Sequence, residues 1–364
     1  MKDKPIPVTM PSLAPLEEYV KMLRDVWDSG ILTHNGPLVR KLENDLCNKL
    51  TVKNFVAVSN GTIALQMAIK ALRLKGEIIT TPFTWIATIS AIKWEDCIPV
   101  FCDIKDDTLN IDPGEIENLI SEKTVAIMPV HVFGNPCDVD AIQNIAQKYN
   151  LKVIYDAAHA LGSHYNGKSV LEYGDISAVS LHATKLFNTA EGGGCITMDD
   201  KVHETLKRIR FFGHDEEKEV IEDGLNGKMT EVHAALGLAN LKYFDIVLDD
   251  RKQKYLLYKE LLAEESDLTF QKINRGTNYS YFPIICRSEG MLLRIQKSLN
   301  DRGIFPRRYF YPSINTYSAI VPYKFLPVSE HISKRILCLP LFRNLSMDTI
   351  RYISDIIKSS IRNN

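Results

Sequence analysis

A lysine at the end of an apolar run is the first residue that could do chemistry. Lys185 closes the segment 180–185 (SLHATK), and Leu186, Phe187 and a glycine run at 192–194 follow it. Apolar surroundings lower the pKa of an amine and suit it to Schiff-base chemistry with a carbonyl group. A single lysine of this kind is more often a surface residue whose aliphatic stem packs on the protein. Other residues must therefore support the catalytic interpretation.

Four further positions supply what a phosphate-bearing heterocyclic cofactor needs. Asp156 follows a β-branched run and is expected at the carboxyl end of a strand, where open parallel sheets bind ligands. Its carboxylate could hold a protonated ring nitrogen. Gly61 and Thr62 lie where a strand passes into a helix, and Ser180 ends another strand; helix N-termini and hydroxyl groups bind phosphate. Asp156 and Thr62 could instead be helix N-caps, but together with Lys185 the set predicts pyridoxal phosphate (PLP).

The elements that must position these residues alternate between short apolar strands and helices. In the first two thirds of the chain, strands are predicted at 55–58, 77–80, 98–101, 125–128, 153–155 and 176–181, and helices at 61–72 and 138–149. Apolar strands separated by helices predict an α/β fold with a parallel sheet covered on both faces. Later elements are predicted as helices at 245–264, 290–300 and 347–361 and strands at 268–270, 281–286 and 337–342.

This pattern predicts two domains and an N-terminal extension. We expect a large PLP-binding α/β domain at 31–240 and a smaller C-terminal α+β domain at 241–364. Residues 1–30 are expected to pack on the small domain or on a dimer partner, with a helix that has Pro15 at its first position.

Composition excludes several classes of function. The 364 residues are 45% hydrophobic and 24% charged, which is typical of a globular protein. The formal net charge of −1 leaves no basic excess for binding nucleic acid or an anionic membrane. No signal peptide or membrane span is predicted. The seven scattered cysteines form no C-x-x-C pair, so we expect no disulfide framework, no metal site and a cytoplasmic location.

Six segments, in order along the chain, carry a resemblance to a known family. They are residues 59–65 (SNGTIAL), 81–88 (TPFTWIAT), 129–134 (PVHVFG), 156–160 (DAAHA), 180–185 (SLHATK) and 225–231 (LNGKMTE). With these segments the chain resembles the DegT/DnrJ/EryC1/StrS sugar aminotransferases. The resemblance implies a PLP-dependent transferase of fold type I, like aspartate aminotransferase, with a mixed, mostly parallel seven-stranded sheet. It also implies L-glutamate as amino donor and a homodimer with active sites at the interface.

The resemblance assigns roles by position. Lys185 would bind the cofactor covalently and move the proton, and Asp156 would pair with the pyridine nitrogen. Trp85 would stack on the ring, and His159 would lie beside it. Because the family's dehydratase branch has histidine in place of the lysine, Lys185 favours transamination. The phosphate would be held by Gly61, Thr62, Ser180 and, from the other subunit, Asn226.

The segment 306–312 (PRRYFYP) is the candidate for binding the acceptor substrate, with a plain surface loop as the alternative. Arginine suits a carboxylate or diphosphate, and tyrosine suits sugar hydroxyls or a base. Its candidate residues are Arg307, Arg308, Tyr309 and Tyr311.

The same segment, with residues 6–9, 14–18 and 29–37, most resembles the VioA-type subgroup. That subgroup converts dTDP-4-dehydro-6-deoxy-D-glucose to dTDP-4-amino-4,6-dideoxy-D-glucose for O-antigen synthesis. Three alternatives remain: amination at C3, a GDP- or UDP-linked keto-sugar as the acceptor, and a PLP-binding regulator without turnover.

Overall fold

A mixed sheet of seven strands forms the centre of the larger part of the molecule. A computed structural model describes residues 4–362; residues 1–3 and 363–364, the outer ends of the predicted N-terminal segment and small domain, lie outside the described residues. In spatial order the strands are β2 (Asn54–Val58), β10 (Gly193–Thr197), β9 (Ile176–Ser180), β6 (Lys152–Asp156), β5 (Thr124–Met128), β3 (Glu77–Thr80) and β4 (Ile98–Phe101). Neighbouring strands are parallel except at β10, which is antiparallel to both β2 and β9. The seven-stranded, mostly parallel sheet is confirmed.

Strand β10 was missing from the strands predicted by the residue pattern. It begins with Gly193 and Gly194, and glycine disfavours strands because it has no side chain to pack. The structure supplies the reason for glycine here. A Cβ at Gly193 would lie 2.5 Å from the backbone of Asn60, and one at Gly194 would lie 2.3 Å from the ring of Phe55.

Helices cover both faces of this sheet, as predicted. They are α2 (Pro37–Leu50), α3 (Gly61–Ala71), α4 (Ile86–Trp94), α5 (Pro113–Ile116), α6 (Val139–Tyr149), α7 (Asp200–Arg210) and α8 (Glu231–Leu241). Because side chains alternate along a strand, each strand contributes to two cores. Val153 and Tyr155 of β6 pack in one buried cluster, whereas Ile154 packs in the other. A short hairpin, β7 (His164–Tyr165) and β8 (Lys168–Ser169), follows β6.

The C-terminal part of the chain builds a second core around an antiparallel sheet of three strands. The strands are β11 (Leu268–Phe270), β12 (Phe282–Cys286) and β14 (Ile336–Leu339). The helices are α9 (Phe244–Leu262), α10 (Glu289–Asn300), α11 (Pro327–Arg335) and α12 (Met347–Arg362). The residue pattern places α9, α10, α12 and the three strands within a few positions of their observed bounds, but it does not predict α11.

The N-terminal segment contacts both parts of the chain. Strand β1 (Ile6–Pro7) pairs in parallel with β13 (Ile304–Phe305), which follows α10. Helix α1 (Leu16–Ser29) begins one residue later than expected, so Pro15 is its N-cap rather than its first residue. The domain boundaries at 30/31 and 240/241 stay predictions. No helix within residues 4–362 is both long and apolar enough to cross a membrane.

Candidate active site

A cavity of about 350 Å³ opens at the carboxyl ends of β6 and β9. Topology explains its position, because Asp156 is the last residue of β6 and Ser180 the last residue of β9, and only two residues separate the end of β2 from the start of α3. Nine of the predicted site residues line this cavity. They are Gly61, Thr62, Trp85, Asp156, His159, Ser180, Lys185, Arg307 and Tyr309.

The Asp156 carboxylate is buried and accepts two hydrogen bonds. Its Oδ2 accepts from Oγ1 of Thr88 at 2.7 Å, and its Oδ1 accepts from the backbone N–H of Ala158 at 3.1 Å. Burial raises the pKa of Asp156, while these two hydrogen bonds and the positive charge of Lys185 oppose the rise. No helix begins after Asp156, because the chain turns there, so the helix-cap alternative does not apply.

Lys185 is partly buried and faces the same cavity. Burial lowers the pKa of its amine to about 8; the negative charge of Asp156 acts in the opposite direction, and the positive charge of Arg307 lowers it further. An amine with this pKa is partly unprotonated near neutral pH and can therefore act as a nucleophile or base.

The start of α3 forms an anion-binding corner of the cavity. Asn60 is the N-cap, and its Oδ1 accepts from the N–H of Ile63 at 2.9 Å, so the alternative of Thr62 as the cap is wrong. The N–H groups of Gly61 and Thr62 have no acceptor within the helix. A Cβ at Gly61 would lie 2.9 Å from the Cβ of Ser180, so only glycine leaves this corner open.

These groups fit PLP. The N–H groups of the α3 N-terminus and the Ser180 hydroxyl suit its phosphate, the buried Asp156 carboxylate suits its ring nitrogen, and the Lys185 amine suits its carbonyl carbon.

Aromatic rings and one arginine form the outer part of the cavity. Trp85 is half exposed and is therefore not a core residue. The guanidinium carbon of Arg307 lies 5.4 Å from the ring centre of Trp85 and 4.8 Å from that of Tyr309. The ring of His159 lies 4.7 Å from that of Tyr281, and burial, followed by the charge of Lys185, holds the pKa of His159 well below its usual value.

Three predicted site residues do not reach this cavity. Asn226 lies outside it, and its Oδ1 accepts from the Lys228 amine at 2.5 Å. Arg308 points elsewhere: it donates to Glu289 Oε1 at 2.6 Å, and its guanidinium carbon lies 3.4 Å from the ring centre of Tyr311. The expectation that Arg308 and Tyr311 line the substrate site is not met in this chain.

Other cavity residues were not among the predicted site residues. They include Thr9, Asn60, Thr84, His182, Glu191, Tyr281 and Phe310. His182 and Glu191 flank Lys185 in sequence, and this proximity was a signal that could have identified them; their side chains lie 3.6 Å apart. Thr9 and Tyr281 arrive from the N-terminal segment and the C-terminal part, and no local pattern marks them.

Comparison with known proteins agrees with this geometry. The family model for DegT/DnrJ/EryC1/StrS aminotransferases matches residues 15–358. The chain belongs to this family. Its members depend on PLP, which is therefore the cofactor of this chain.

Two curated relatives and one solved structure are similar over nearly the whole chain. A dTDP-4-amino-4,6-dideoxy-D-glucose transaminase from Shigella dysenteriae is 44% identical, over 98% of this chain and 99% of its own length. An Escherichia coli protein of the same name is 40% identical, over 98% of this chain and 99% of its own. The crystal structure of DesI, determined in the presence of its TDP-sugar product, superposes with a TM-score of 0.94 and 31% identity, over 99% of this chain and 94% of DesI.

Proposed function

We propose that this protein transfers an amino group from L-glutamate to C4 of dTDP-4-dehydro-6-deoxy-D-glucose, forming dTDP-4-amino-4,6-dideoxy-D-glucose for O-antigen synthesis. The observation that carries the reaction type is that Asp156, at the end of β6, and Lys185, in the turn after the adjacent strand β9, line the same cavity. The names of the relatives that are 44% and 40% identical support this acceptor. We place the enzyme in the cytoplasm, where its seven free cysteines would stay reduced.

In this proposal Lys185 moves the proton. Bound PLP supplies an electron sink that stabilises negative charge on the carbon next to the amino group. The Lys185 amine, with its pKa lowered to about 8, would take the proton from the α-carbon of glutamate and deliver it to the C4′ carbon of the cofactor. In the second half of the reaction Lys185 would take a proton from C4′ and deliver it to C4 of the sugar.

Asp156 and two rings position the cofactor in this proposal. The carboxylate of Asp156 holds the proton on the ring nitrogen through a charge-assisted hydrogen bond, which keeps the ring electron-poor. Trp85, at the start of α4, would stack on the ring, and His159 would lie beside it. The N–H groups of the α3 N-terminus and the Ser180 hydroxyl hold the phosphate.

Arg307 and Tyr309 are the residues that we propose for binding the acceptor. Arg307 is exposed at the outer part of the cavity between Trp85 and Tyr309, where its charge can meet the diphosphate of a nucleotide sugar. Tyr309 is mostly buried beside it and can contact the sugar or the base. Arg308 and Tyr311 are engaged with each other and with Glu289, so we leave them out of the binding site.

We also propose a homodimer in which Asn226 completes the phosphate site of the other subunit. Asn226 does not line the cavity of its own chain. Apolar side chains on and after α1 are exposed, including Leu16 at 66% and Trp27 at 71%, and a second copy would cover them.

Mixing two damaged chains tests the shared site. Lys185→Ala and Asn226→Asp should each be poorly active as homodimers, because the aspartate repels the phosphate. Heterodimers would contain one intact site and one doubly damaged site, so activity should return on mixing. No recovery, after subunit exchange has been proved and the Asn226→Asp parent shown to be inactive, would place Asn226 in its own subunit's site.

The acceptor is tested with a panel of dTDP-, GDP- and UDP-linked 4-keto and 3-keto sugars, with L-glutamate as donor and NMR identification of each product. We expect the highest kcat/KM for dTDP-4-dehydro-6-deoxy-D-glucose and an amino group at C4. A GDP- or UDP-sugar as the best substrate, or amination at C3, would replace the proposed acceptor. Absence of any absorbance change in the PLP-loaded protein on adding glutamate would favour the regulator alternative.

A further inference from the structure

We propose that Thr84 and Thr88 form a two-hydroxyl relay that keeps the Asp156 carboxylate ionised and holds it toward the ring nitrogen of the cofactor. Both threonines are thus positioning residues that act through Asp156. This inference deepens the proposed function and rests on its assignment of Asp156.

The relay is seen as two consecutive short hydrogen bonds. Oγ1 of Thr88 lies 2.7 Å from Oδ2 of Asp156, and Oγ1 of Thr84 lies 2.8 Å from Oγ1 of Thr88. Thr88 is fully buried and Thr84 is 2% exposed, so water does not compete for these hydroxyls. Thr84 also lines the active-site cavity, which places the outer end of the relay beside the substrates.

The chemistry of the three groups decides which one donates in each hydrogen bond. An ionised carboxylate only accepts hydrogen bonds, so Thr88 uses its single hydroxyl proton for Asp156. The oxygen of Thr88 must then accept from Thr84. Each hydroxyl polarises the next, and the two together favour the ionised form of Asp156 over the protonated form.

Local helix geometry shows that this use of Thr88 is unusual. A threonine inside a helix commonly donates to the carbonyl four residues earlier. Here the residue four positions before Thr88 is Thr84, and Thr88 meets the side chain of Thr84 while donating across the sheet edge to Asp156. Thr84 lies in the bend just before α4, whose N-cap is Trp85, so this bend brings its hydroxyl to that of Thr88.

Ionisation of Asp156 matters because burial works against it. Burial is the largest influence on this carboxyl group and favours its neutral form, whereas the Thr88 hydrogen bond is the first of the effects that oppose burial. If Asp156 became a better base, it would draw the shared proton away from the ring nitrogen. The cofactor would then be a weaker electron sink.

The test compares Thr88→Val with two other variants in the PLP-loaded protein. Valine keeps the shape of threonine and removes only the hydroxyl. Thr88→Ser restores the hydroxyl. Thr80→Val is the matched control, because Thr80 is also fully buried at the same sheet and donates to the Met128 carbonyl at 2.7 Å, without touching Asp156.

The deciding measurement is the NMR shift of a 15N label in the cofactor ring, recorded without substrates. In Thr88→Val we expect the shift to move toward that of unprotonated pyridine, while Thr88→Ser and Thr80→Val stay near the unmodified protein. We also expect kcat to fall roughly 10- to 100-fold in Thr88→Val, the effect of losing one charge-assisted hydrogen bond, with little change in KM. An unchanged 15N shift in Thr88→Val, or an equal shift in Thr80→Val, would overturn the relay.

This readout separates the relay from the proposed function. The 15N shift requires only that PLP binds next to Asp156, and it does not depend on which sugar is aminated. If PLP binds but Asp156 does not pair with its nitrogen, Asp156→Asn will leave the 15N shift unchanged, and the assignment of Asp156 fails first.

Discussion

Covalent attachment of PLP should depend on pH through Lys185. The amine must be unprotonated to attack the cofactor's carbonyl carbon, and burial lowers its pKa from 10.5 to about 8. The attachment rate of PLP to the cofactor-free protein should therefore rise with pH and level off above a midpoint near 8. The sign follows because the reactive form is the one that has lost its proton.

The size of the effect follows from the same pKa. At pH 7 a lysine with a pKa of about 8 is roughly 9% unprotonated, whereas one with a pKa of 10.5 is about 0.03% unprotonated. The site therefore raises the reactive fraction roughly 300-fold. Between pH 7 and pH 9 the attachment rate should increase about tenfold and then stop rising.

Stopped-flow absorbance of PLP binding across this pH range measures the midpoint. Attachment to a free lysine derivative in the same buffers corrects for ionisation of PLP itself, and borohydride reduction with mass mapping confirms the site. A midpoint above about 9.5, or label on another lysine, would refute the reasoning. Two variants test the cause: Arg307→Met removes a positive charge and should raise the midpoint, whereas Asp156→Asn removes a negative charge and should lower it.

Three further experiments test other properties of the site and fold. Gly61→Ala should weaken PLP binding at least tenfold in a titration, because the added Cβ would meet Ser180. Gly290→Ala is the control, since Gly290 is also in the first turn of a helix but its Cβ would have no neighbour closer than 3.9 Å; this variant should bind PLP normally. Arg307→Met should raise the KM for the nucleotide sugar about 10- to 100-fold, whereas Arg308→Met should lower the Tm without changing KM. Glu231→Gln should lower the free energy of unfolding by about 1–3 kcal/mol, because its buried carboxylate accepts two N–H groups at the start of α2; denaturant titration measures it.

Strand ends were predictable because a buried strand is a run of apolar residues in the sequence. Strands covered on both faces are apolar throughout, so β3 and β6 stand out, and a polar residue after such a run must lie at a strand end. Asp156 was located in this way without any structure. The prediction failed at β10, where contacts with distant residues select glycine and no local pattern remains.

Adjacent residues of the acceptor segment show a second limit. Arg307 and Tyr309 line the cavity, while Arg308 between them pairs with Glu289. Successive side chains of an extended chain point in opposite directions. The backbone is extended here, because Arg307 forms an antiparallel β-bridge with Cys338. The sequence supplies two neighbouring arginines of equal chemistry. Only the path of the backbone decides which one faces the cavity.

The antiparallel strand β10 also explains how the corner of the cavity at the start of α3 is built. Because β10 runs against its neighbours, its first residue, Gly193, lies at the same edge of the sheet as the last residues of β2 and β9. A Cβ at Gly193 would lie 2.5 Å from the backbone of Asn60, so its absence lets the start of α3 approach the sheet. Gly61 then approaches Ser180 in the same way. Two glycines on different elements therefore set how closely the start of α3 approaches the sheet, and with it the depth of the site that we propose for the cofactor's phosphate.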